Sequence, residues 1–148
     1  MQIHYAPDEI KAACNILDAC ISHIYHQRML EVRNLDTAQQ IEKYINDNIA
    51  WDLSIEHLCA HFSVSRAELY QIFHTSFNSS VADYIRSKRI AMAEQMIRTT
   101  AMQISEIAAN VGFYDYNYFS KVFHRKFGCS PREYRKNLES SEEEAEKK

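Results

Sequence analysis

The chain has 148 residues, of which 46% are hydrophobic and 25% are charged, and its formal net charge is −3 at pH 7. This composition is typical of a folded globular protein and excludes a disordered chain. No apolar run approaches the roughly 18 residues that a membrane helix needs, and the polar start MQIHYAPDEIK predicts no signal peptide and no membrane partner. Two glycines and two prolines disfavour β-hairpins, and four scattered cysteines without a C-x-x-C pair favour reduced thiols in the cytoplasm.

The net charge is distributed unevenly along the chain. Residues 1–59 carry 4 basic and 9 acidic residues, residues 60–138 carry 11 and 6, and residues 139–148 carry 2 and 5. The middle of the chain therefore has a net charge of +5 between two acidic ends. An excess of this size fits contacts with phosphates and also fits an ordinary surface, so charge alone does not decide between them.

The first predicted element is a helix over residues 8–30. Apolar residues recur in it at alternating spacings of four and three, which is the spacing of a short coiled-coil seam: Ile10, Cys14, Leu17, Ile21 and Ile24. Such a helix either packs on a neighbouring part of the protein or dimerises. Residues 1–34 are therefore assigned as a linker segment and a candidate dimerisation helix.

Helical signals continue through the rest of the chain. Four polar residues occupy candidate N-cap positions before segments with helical periodicity: Asp36, Ser54, Ser65 and Asp115. A longer helix is predicted over about residues 81–98, and Pro131 stands in the first turn of the last helix. Residues 139–148 are predicted to be a solvated acidic tail. Every element reads as a helix, so the predicted fold class is all-α.

An internal repeat occupies the basic part of the chain. Residues 65–85 match residues 115–135 at a shift of 50, with five identical pairs: Phe73 and Phe123, His74 and His124, Phe77 and Phe127, Ser80 and Ser130, and Tyr84 and Tyr134. Each copy comprises a short helix, a turn of about four residues and a longer capped helix, which is the pattern of a helix-turn-helix. The copies are placed at about 54–78 and 104–128, within a domain at 35–138.

Both glycines belong to the second copy. Gly112 lies in its turn, where a positive φ is expected, and Gly128 lies at the C-cap of its longer helix. Upstream of the caps the shift is 49, because the second copy has one extra residue there, so Ser63 takes the turn position that corresponds to Gly112. The turn of the first copy is therefore expected to be strained or differently shaped.

The longer helix of each copy separates its side chains by face. One stripe is apolar and is predicted to form the core: Leu69, Ile72, Phe73 and Phe77, and then Phe119, Val122, Phe123 and Phe127. The opposite arc carries side chains of types that can read base edges in a major groove: Ala67, Tyr70, Gln71 and His74, and then Asn117, Ser120, Lys121 and His124. A single such arc fits a solvated face equally well, but two in a duplicated helix-turn-helix favour DNA.

Three segments match a known family: SIEHLCAHFSVSRAELYQIF, VADYIRSKRIAMAEQMI and ISEIAANVGFYDYNYFSKVFHRKFGCSPREYR. From about Ile41 to Arg135 the chain resembles the DNA-binding domain of AraC/XylS-type bacterial transcription regulators. The resemblance implies two helix-turn-helix subdomains joined by a long helix, with both recognition helices in successive major grooves of double-stranded DNA. Such regulators usually carry an upstream sensor domain, so we expect either a fragment of a longer regulator or a short stand-alone member.

The resemblance also assigns roles by position. Base contacts are expected from Ala67, Tyr70 and Gln71 and from Asn117, Ser120 and Lys121. Phosphate contacts are expected from Arg66, His74, His124 and Arg125. Ala67 is a weak reader, because its methyl group can contact only a thymine methyl. Arg86, Lys88 and Arg89 on the connecting helix remain open, and Arg89 matches a family arginine that either contacts phosphate or forms an internal ion pair.

Neither catalysis nor a cofactor is predicted. The sequence has no G-x-S-x-G, P-loop or G-x-G-x-x-G motif. His57 and His61 share a helix face, but Cys59 points away from them and no fourth ligand is evident, so no metal site is predicted. The alternative to DNA binding is a helical protein-interaction module that uses the tyrosine-rich residues 114–118.

Overall fold

The computed structural model describes the backbone of residues 7–146 and the side chains of residues 11–140 apart from residue 13. The described residues form seven α-helices and no strand, so the all-α prediction is confirmed. The helices are α1 (Pro7–Asp47), α2 (Ile55–Phe62), α3 (Arg66–Phe77), α4 (Val81–Thr99), α5 (Ile104–Asn110), α6 (Tyr116–Phe127) and α7 (Pro131–Glu146). None of the described helices is long and apolar enough to cross a membrane.

The first helix is longer than the sequence suggested. A single helix of 41 residues replaces the two that were predicted on either side of Asp36, so the prediction that Asp36 is an N-cap is wrong. Its carboxylate instead accepts a hydrogen bond from the Gln40 amide at 3.2 Å within the helix. No glycine or proline follows Pro7 in α1, so nothing in its sequence interrupts the helix. No break in the helix therefore marks the predicted domain boundary after residue 34.

The other end of the chain is also helical for longer than expected. The last helix begins at the predicted Pro131 and continues to Glu146, so the acidic segment 139–148 is helical as far as it is described. Parts of the predicted features lie outside the described residues: residues 1–6 of the linker segment, the side chain of Ile10, the side chains of residues 141–148 and the backbone of the last two residues. The prediction that the tail is solvated is therefore described only for residues 139 and 140.

The helices enclose two hydrophobic cores, and the half-buried Met92 of α4 packs against both. The first contains residues of α1 to α3 with the start of α4: Ala38, Ile41, Ile45, Ile49, Leu53, Leu58, Leu69, Ile72, Phe73, Val81 and Ile85. The second contains residues from the rest of α4 to α6: Ile90, Ala93, Ile97, Ile104, Ile107, Ala108, Val111, Phe113, Phe119 and Phe123. Because α4 contributes to both cores, it is the structural element that the two halves share.

The repeat extends beyond the helix-turn-helix units. Tyr84 on α4 donates a hydrogen bond to Glu42 on α1 at 2.8 Å, and Tyr134 on α7 donates one to Glu94 on α4 at 2.7 Å. The hydrogen bonds from Lys88 and Tyr84 hold the pKa of Glu42 below its ordinary value. The helices on either side of each unit therefore repeat as well. The first unit lies between the second half of α1 and α4, and the second unit lies between α4 and α7. In both cases a tyrosine of the following helix bonds a glutamate of the preceding helix.

Candidate nucleic-acid interface

The first helix-turn-helix unit consists of α2 and α3. The Ser54 hydroxyl accepts a hydrogen bond from the backbone N–H of His57, and Ser65 forms a capping box with Glu68, so both predicted caps are confirmed. Ser63 in the turn has φ 53°, which lies in the left-handed region of the backbone angles. Residues other than glycine, asparagine and aspartate rarely adopt this region. The turn thus has the shape that glycine would favour and holds a serine at a cost in strain.

The second unit consists of α5 and α6. The Asp115 carboxylate accepts hydrogen bonds from the N–H groups of Asn117 and Tyr118 at 2.7 and 3.2 Å, which confirms its role as an N-cap. Gly112 in the turn has φ 84° and Gly128 at the C-cap has φ 78°, as predicted. Gly112 has a second role: a Cβ added there would lie 2.8 Å from Cζ of Arg89. The backbone angle therefore disfavours any other residue here, and a side chain at this position would also displace the guanidinium of Arg89.

The longer helices α3 and α6 point their apolar stripes inward and their polar arcs outward. Leu69, Phe73, Phe119 and Phe123 are fully buried, while Phe77, Val122 and Phe127 are half-buried at the edges of the cores. Five of the six expected base-reading residues are exposed, and Ser120 is half-buried: Ala67, Tyr70, Gln71, Asn117, Ser120 and Lys121. In α6 this arc and His124, together with Ser130, line one shallow depression.

The expected phosphate-contacting residues are also accessible. His74, His124 and Arg125 are exposed. Arg66 is exposed as well, but its guanidinium lies 2.5 Å from a carboxylate oxygen of Glu56 on α2. Both side chains of this ion pair are about two-thirds exposed, at 64% and 65%. Solvent screening makes such a pair weak, so it does not prevent Arg66 from contacting another anion.

The basic residues of α4 bind groups within the protein. Arg86 forms an ion pair with Asp83 at 2.6 Å, and Lys88 forms one with Glu42 at 2.7 Å. The half-buried Arg89 donates to three backbone carbonyls, those of Ile49 at 3.0 Å and of Trp51 and Gly112 at 2.9 Å.

The partners of Arg89 settle the question that its sequence left open. Arg89 makes internal contacts, which is one of the two predicted alternatives. Its acceptors are backbone carbonyl oxygens and not the carboxylate of an ion pair. Burial of the guanidinium lowers the pKa of Arg89 below its ordinary value.

A second internal arginine was missed at the sequence level. Arg135 on α7 donates to the carbonyl oxygens of Met102 at 2.7 Å and Thr100 at 3.3 Å, and so attaches α7 to the loop before α5. Its only signal in the sequence was its place in the Tyr-Arg pair of the family signature.

The two histidines considered for a metal contact a tyrosine instead. The Nε2 atom of His57 lies 2.7 Å from the hydroxyl of Tyr44, and the ring of His61 stacks on Tyr44 at 4.1 Å between centroids. Among the described residues no group of three or more potential metal ligands is found. The pair thus belongs to an aromatic cluster between α1 and α2.

The chain is similar to known transcription regulators. A family model for a helix-turn-helix domain matches residues 58–137. The chain is 33% identical over 100 residues to the HTH-type transcriptional activator RhaR of Cronobacter sakazakii, which covers 68% of this chain and 35% of RhaR. It is 34% identical over 104 residues to the regulatory protein SoxS of Escherichia coli K12, which covers 66% of this chain and 97% of SoxS. The chain thus matches about a third of one relative and nearly all of the other, and neither is an enzyme by name.

A solved structure agrees with these matches. The crystal structure of a transcriptional regulator from Chromobacterium violaceum, described as an AraC-type DNA-binding domain-containing protein, superposes with a TM-score of 0.63 and 25% identity. The superposition covers 73% of this chain and 94% of that one. The duplicated helix-turn-helix, the matching family model and these relatives together show that the chain belongs to the AraC-type helix-turn-helix family of transcription regulators.

Proposed function

We propose that the chain binds double-stranded DNA in a sequence-specific manner and regulates transcription, with α3 and α6 in two successive major grooves on one side of the duplex. The observation that carries this proposal is the duplicated unit, in which both longer helices expose a polar arc opposite a buried stripe. The 19 residues of α4 span about 28 Å. This length is comparable with the roughly 34 Å between neighbouring major grooves.

The proposed base readers form one set on each recognition helix. In α3 they are Ala67, Tyr70 and Gln71, and in α6 they are Asn117, Ser120 and Lys121. Glutamine and asparagine can bond adenine, lysine can bond guanine, and the alanine can contact only a thymine methyl. The second unit therefore discriminates more strongly between sequences than the first.

The proposed phosphate contacts flank these readers. They come from Arg66, His74, His124 and Arg125. Arg66 exchanges Glu56 for a phosphate oxygen, which costs little because the ion pair is exposed. Such contacts position the protein on the duplex and carry no sequence information.

Replacing Lys121 with alanine tests the assignment of base readers. The side chain is exposed on α6, so the change removes a guanine contact without disturbing the core. Affinity for the preferred site, selected from random duplexes, should fall by about 1–3 kcal/mol, and preference should relax at one or two base positions. Binding is measured on the preferred site and on a scrambled duplex. An equal loss on both duplexes would make Lys121 a phosphate contact and would contradict its assignment.

We further propose that α1 joins two copies of the chain. Its described apolar side chains between Cys14 and Leu35 are exposed, for example 63% at Ile21 and 68% at Val32. At 100° per residue, Cys14, Ile21 and Val32 share a stripe that lies about 150° around the helix from Ile41 and Ile45, which face the first core. The domain that α1 enters does not cover this stripe, so a second copy of α1 is its proposed partner.

Removal of the N-terminal part of α1 should abolish weak self-association. A version starting at Arg33 keeps all the core residues of α1, which begin at Ala38. Sedimentation should give a concentration-dependent mass for the full chain and a monomer for the shortened one. Identical monomeric masses at high concentration would leave the stripe as a packing surface only.

Cross-linking adds a matched control to this test. Cys14 lies on the stripe, whereas the equally exposed Cys20 lies about 100° from Ile21 around the helix. Among versions that keep a single cysteine, a bifunctional maleimide should link two chains through Cys14 and not through Cys20. Equal linking through both would contradict pairing along this stripe.

The setting in the cell is also a proposal. The family resemblance supports a cytoplasmic, bacterial regulator in which an upstream sensor domain connects to the DNA-binding units through α1. RhaR, of which the chain matches 35%, shows that relatives of this greater length exist. No cofactor is proposed.

A further inference from the structure

The two halves of the protein pack around different cores, and their relative orientation requires a restraint. The described core residues of α4 divide at its middle: Val81 and Ile85 belong to the first core, while Ile90, Ala93 and Ile97 belong to the second. A shared helix fixes the distance between two units. Each unit packs its core against α4, which already restrains its rotation about that helix, and a polar contact that joins the two units directly restrains their relative orientation further.

Arg89 lies at this division and binds both halves. Two of its hydrogen bonds reach the carbonyls of Ile49 and Trp51, in the loop before α2. The third reaches the carbonyl of Gly112, in the turn before α6. Among the side-chain hydrogen bonds of the described residues, those of Arg89 are the ones that join the α1–α2 loop to the α5–α6 turn. The planar guanidinium presents its donors at fixed angles, so it restrains direction as well as distance.

The turn of the second unit is shaped to receive this guanidinium. Gly112 leaves room for Cζ, Nε and one terminal nitrogen of Arg89, all of which would lie within 2.9 Å of an added Cβ. The recognition helix α6 begins at Tyr116, four residues later. On the other side, Trp51 lies three residues before Ser54, the N-cap of α2. The bonds on one side thus end close to the start of the first unit, and the bond on the other side ends inside the turn of the second unit, close to the start of its recognition helix.

We propose that Arg89 sets the orientation of α6 relative to α3, and thereby the spacing between the two half-sites that the protein accepts. A half-site is the part of the preferred DNA site that one recognition helix contacts, so this inference rests on the proposed function. The 12 residues of α6 span about 18 Å, and a turn of about 10° at Gly112 displaces the far end of α6 by about 3 Å. That displacement is close to the rise of one base pair, which is about 3.4 Å.

Among the described residues, one side chain of α6 also forms hydrogen bonds with α4. Lys126 donates to the hydroxyl and the carbonyl of Ser87 at 3.3 and 3.5 Å. These bonds are long and come from an exposed, flexible side chain. They also attach α6 to α4 alone, whereas Arg89 connects the second unit to the first. The orientation between the units is therefore assigned to Arg89.

Arg89→Met removes the donors and keeps much of the apolar stem. Affinity is measured on duplexes in which the half-site spacing is unchanged, one base pair longer or one base pair shorter. The full chain should lose about tenfold on the altered spacings, comparable with one mismatched base pair, and Arg89→Met should lose less than about threefold. Arg98→Met is the matched control, since the contacts of Arg98 on the same helix, with Glu94 one turn away and with Tyr134, lie within the second unit and do not reach the first, and it should behave as the unchanged chain. Equal discrimination by Arg89→Met and the unchanged chain would overturn the proposal.

A measurement without DNA separates this inference from the proposed function. Residual dipolar couplings of backbone amides report the relative orientation of the two units. One alignment tensor should fit residues 38–138 of the unchanged chain, and Arg89→Met should require a different tensor for each unit. Arg89→Lys keeps the positive charge but lacks the planar set of donors of the guanidinium, so it should also require two tensors. It replaces Arg89→Met in this test if that variant does not fold. One tensor for both units in the folded variant would overturn the role of Arg89, even if the chain bound no DNA.

Discussion

Phe123→Ala should lower the free energy of unfolding by about 3–5 kcal/mol and the melting temperature by roughly 6–20 °C. The side chain is fully buried in the second core. Its ring contacts those of Phe119, Phe127 and Tyr134, with centroid distances of 5.8, 4.6 and 5.6 Å. The large cost is expected because three aromatic rings on two helices cannot close a cavity of this size without moving those helices. Thermal and urea unfolding provide the measurement.

The control for this prediction lies in the same helix. Lys121→Ala removes a side chain from the exposed face of α6 and should change stability by no more than about 0.5 kcal/mol. Phe123→Ala should weaken binding to every DNA sequence together, while Lys121→Ala should act on particular base positions. An unchanged melting temperature for Phe123→Ala would mean that α6 is rotated about its axis, and every base reader assigned to α6 would then be wrong.

Binding to DNA should weaken about 500-fold between 50 and 200 mM salt. This follows from a log–log slope of about −4.5, which is expected when about five phosphates are neutralised. The estimate of five comes from the net charge of +5 on residues 60–138. Affinity is measured by fluorescence anisotropy of a labelled duplex across this range, with a footprint at the lowest salt. The footprint should cover about two major grooves on one face.

The salt titration also decides between the proposed function and its rival. A protein-interaction module using Tyr114 and Tyr118, which are exposed by 93% and 47%, would show no such dependence on duplex DNA. A slope close to zero would contradict the phosphate contacts. The absence of detectable duplex binding at about 50 mM salt, where counterion release favours binding most, would contradict the regulator itself.

Local signals in the sequence were sufficient for much of the fold. Ser54, Ser65 and Asp115 cap their helices as expected, and the left-handed Gly128 ends α6. These features depend on the bonding of side chain to backbone within a few residues, so residue type and spacing reveal them. The fold class followed from the same signals, and the exposed arcs followed from helical periodicity.

Contacts between distant parts of the chain could not be predicted in this way. Tyr84 and Glu42 are 42 residues apart, and nothing in either neighbourhood indicates the other. Arg89 was harder still, because its three acceptors are backbone carbonyls, which every residue has. Asp36 misled for the opposite reason: it is a good cap residue by type, but the preceding residues are helical and no cap is needed there.

Because α1 is continuous, a rotation of one end about the helix axis is transmitted to the other end. Each residue advances a helix by about 1.5 Å and turns it by about 100°. The face around Ile21 therefore has a fixed angular phase relative to Ile41 and Ile45, which lie in the first core. A rotation of the exposed N-terminal part of α1 would therefore also rotate the part that lies in the first core, since the segment around residue 34 is as helical as the rest. If a second copy of α1 binds this stripe, as proposed, its position also fixes the rotation of the first unit about the axis of α1.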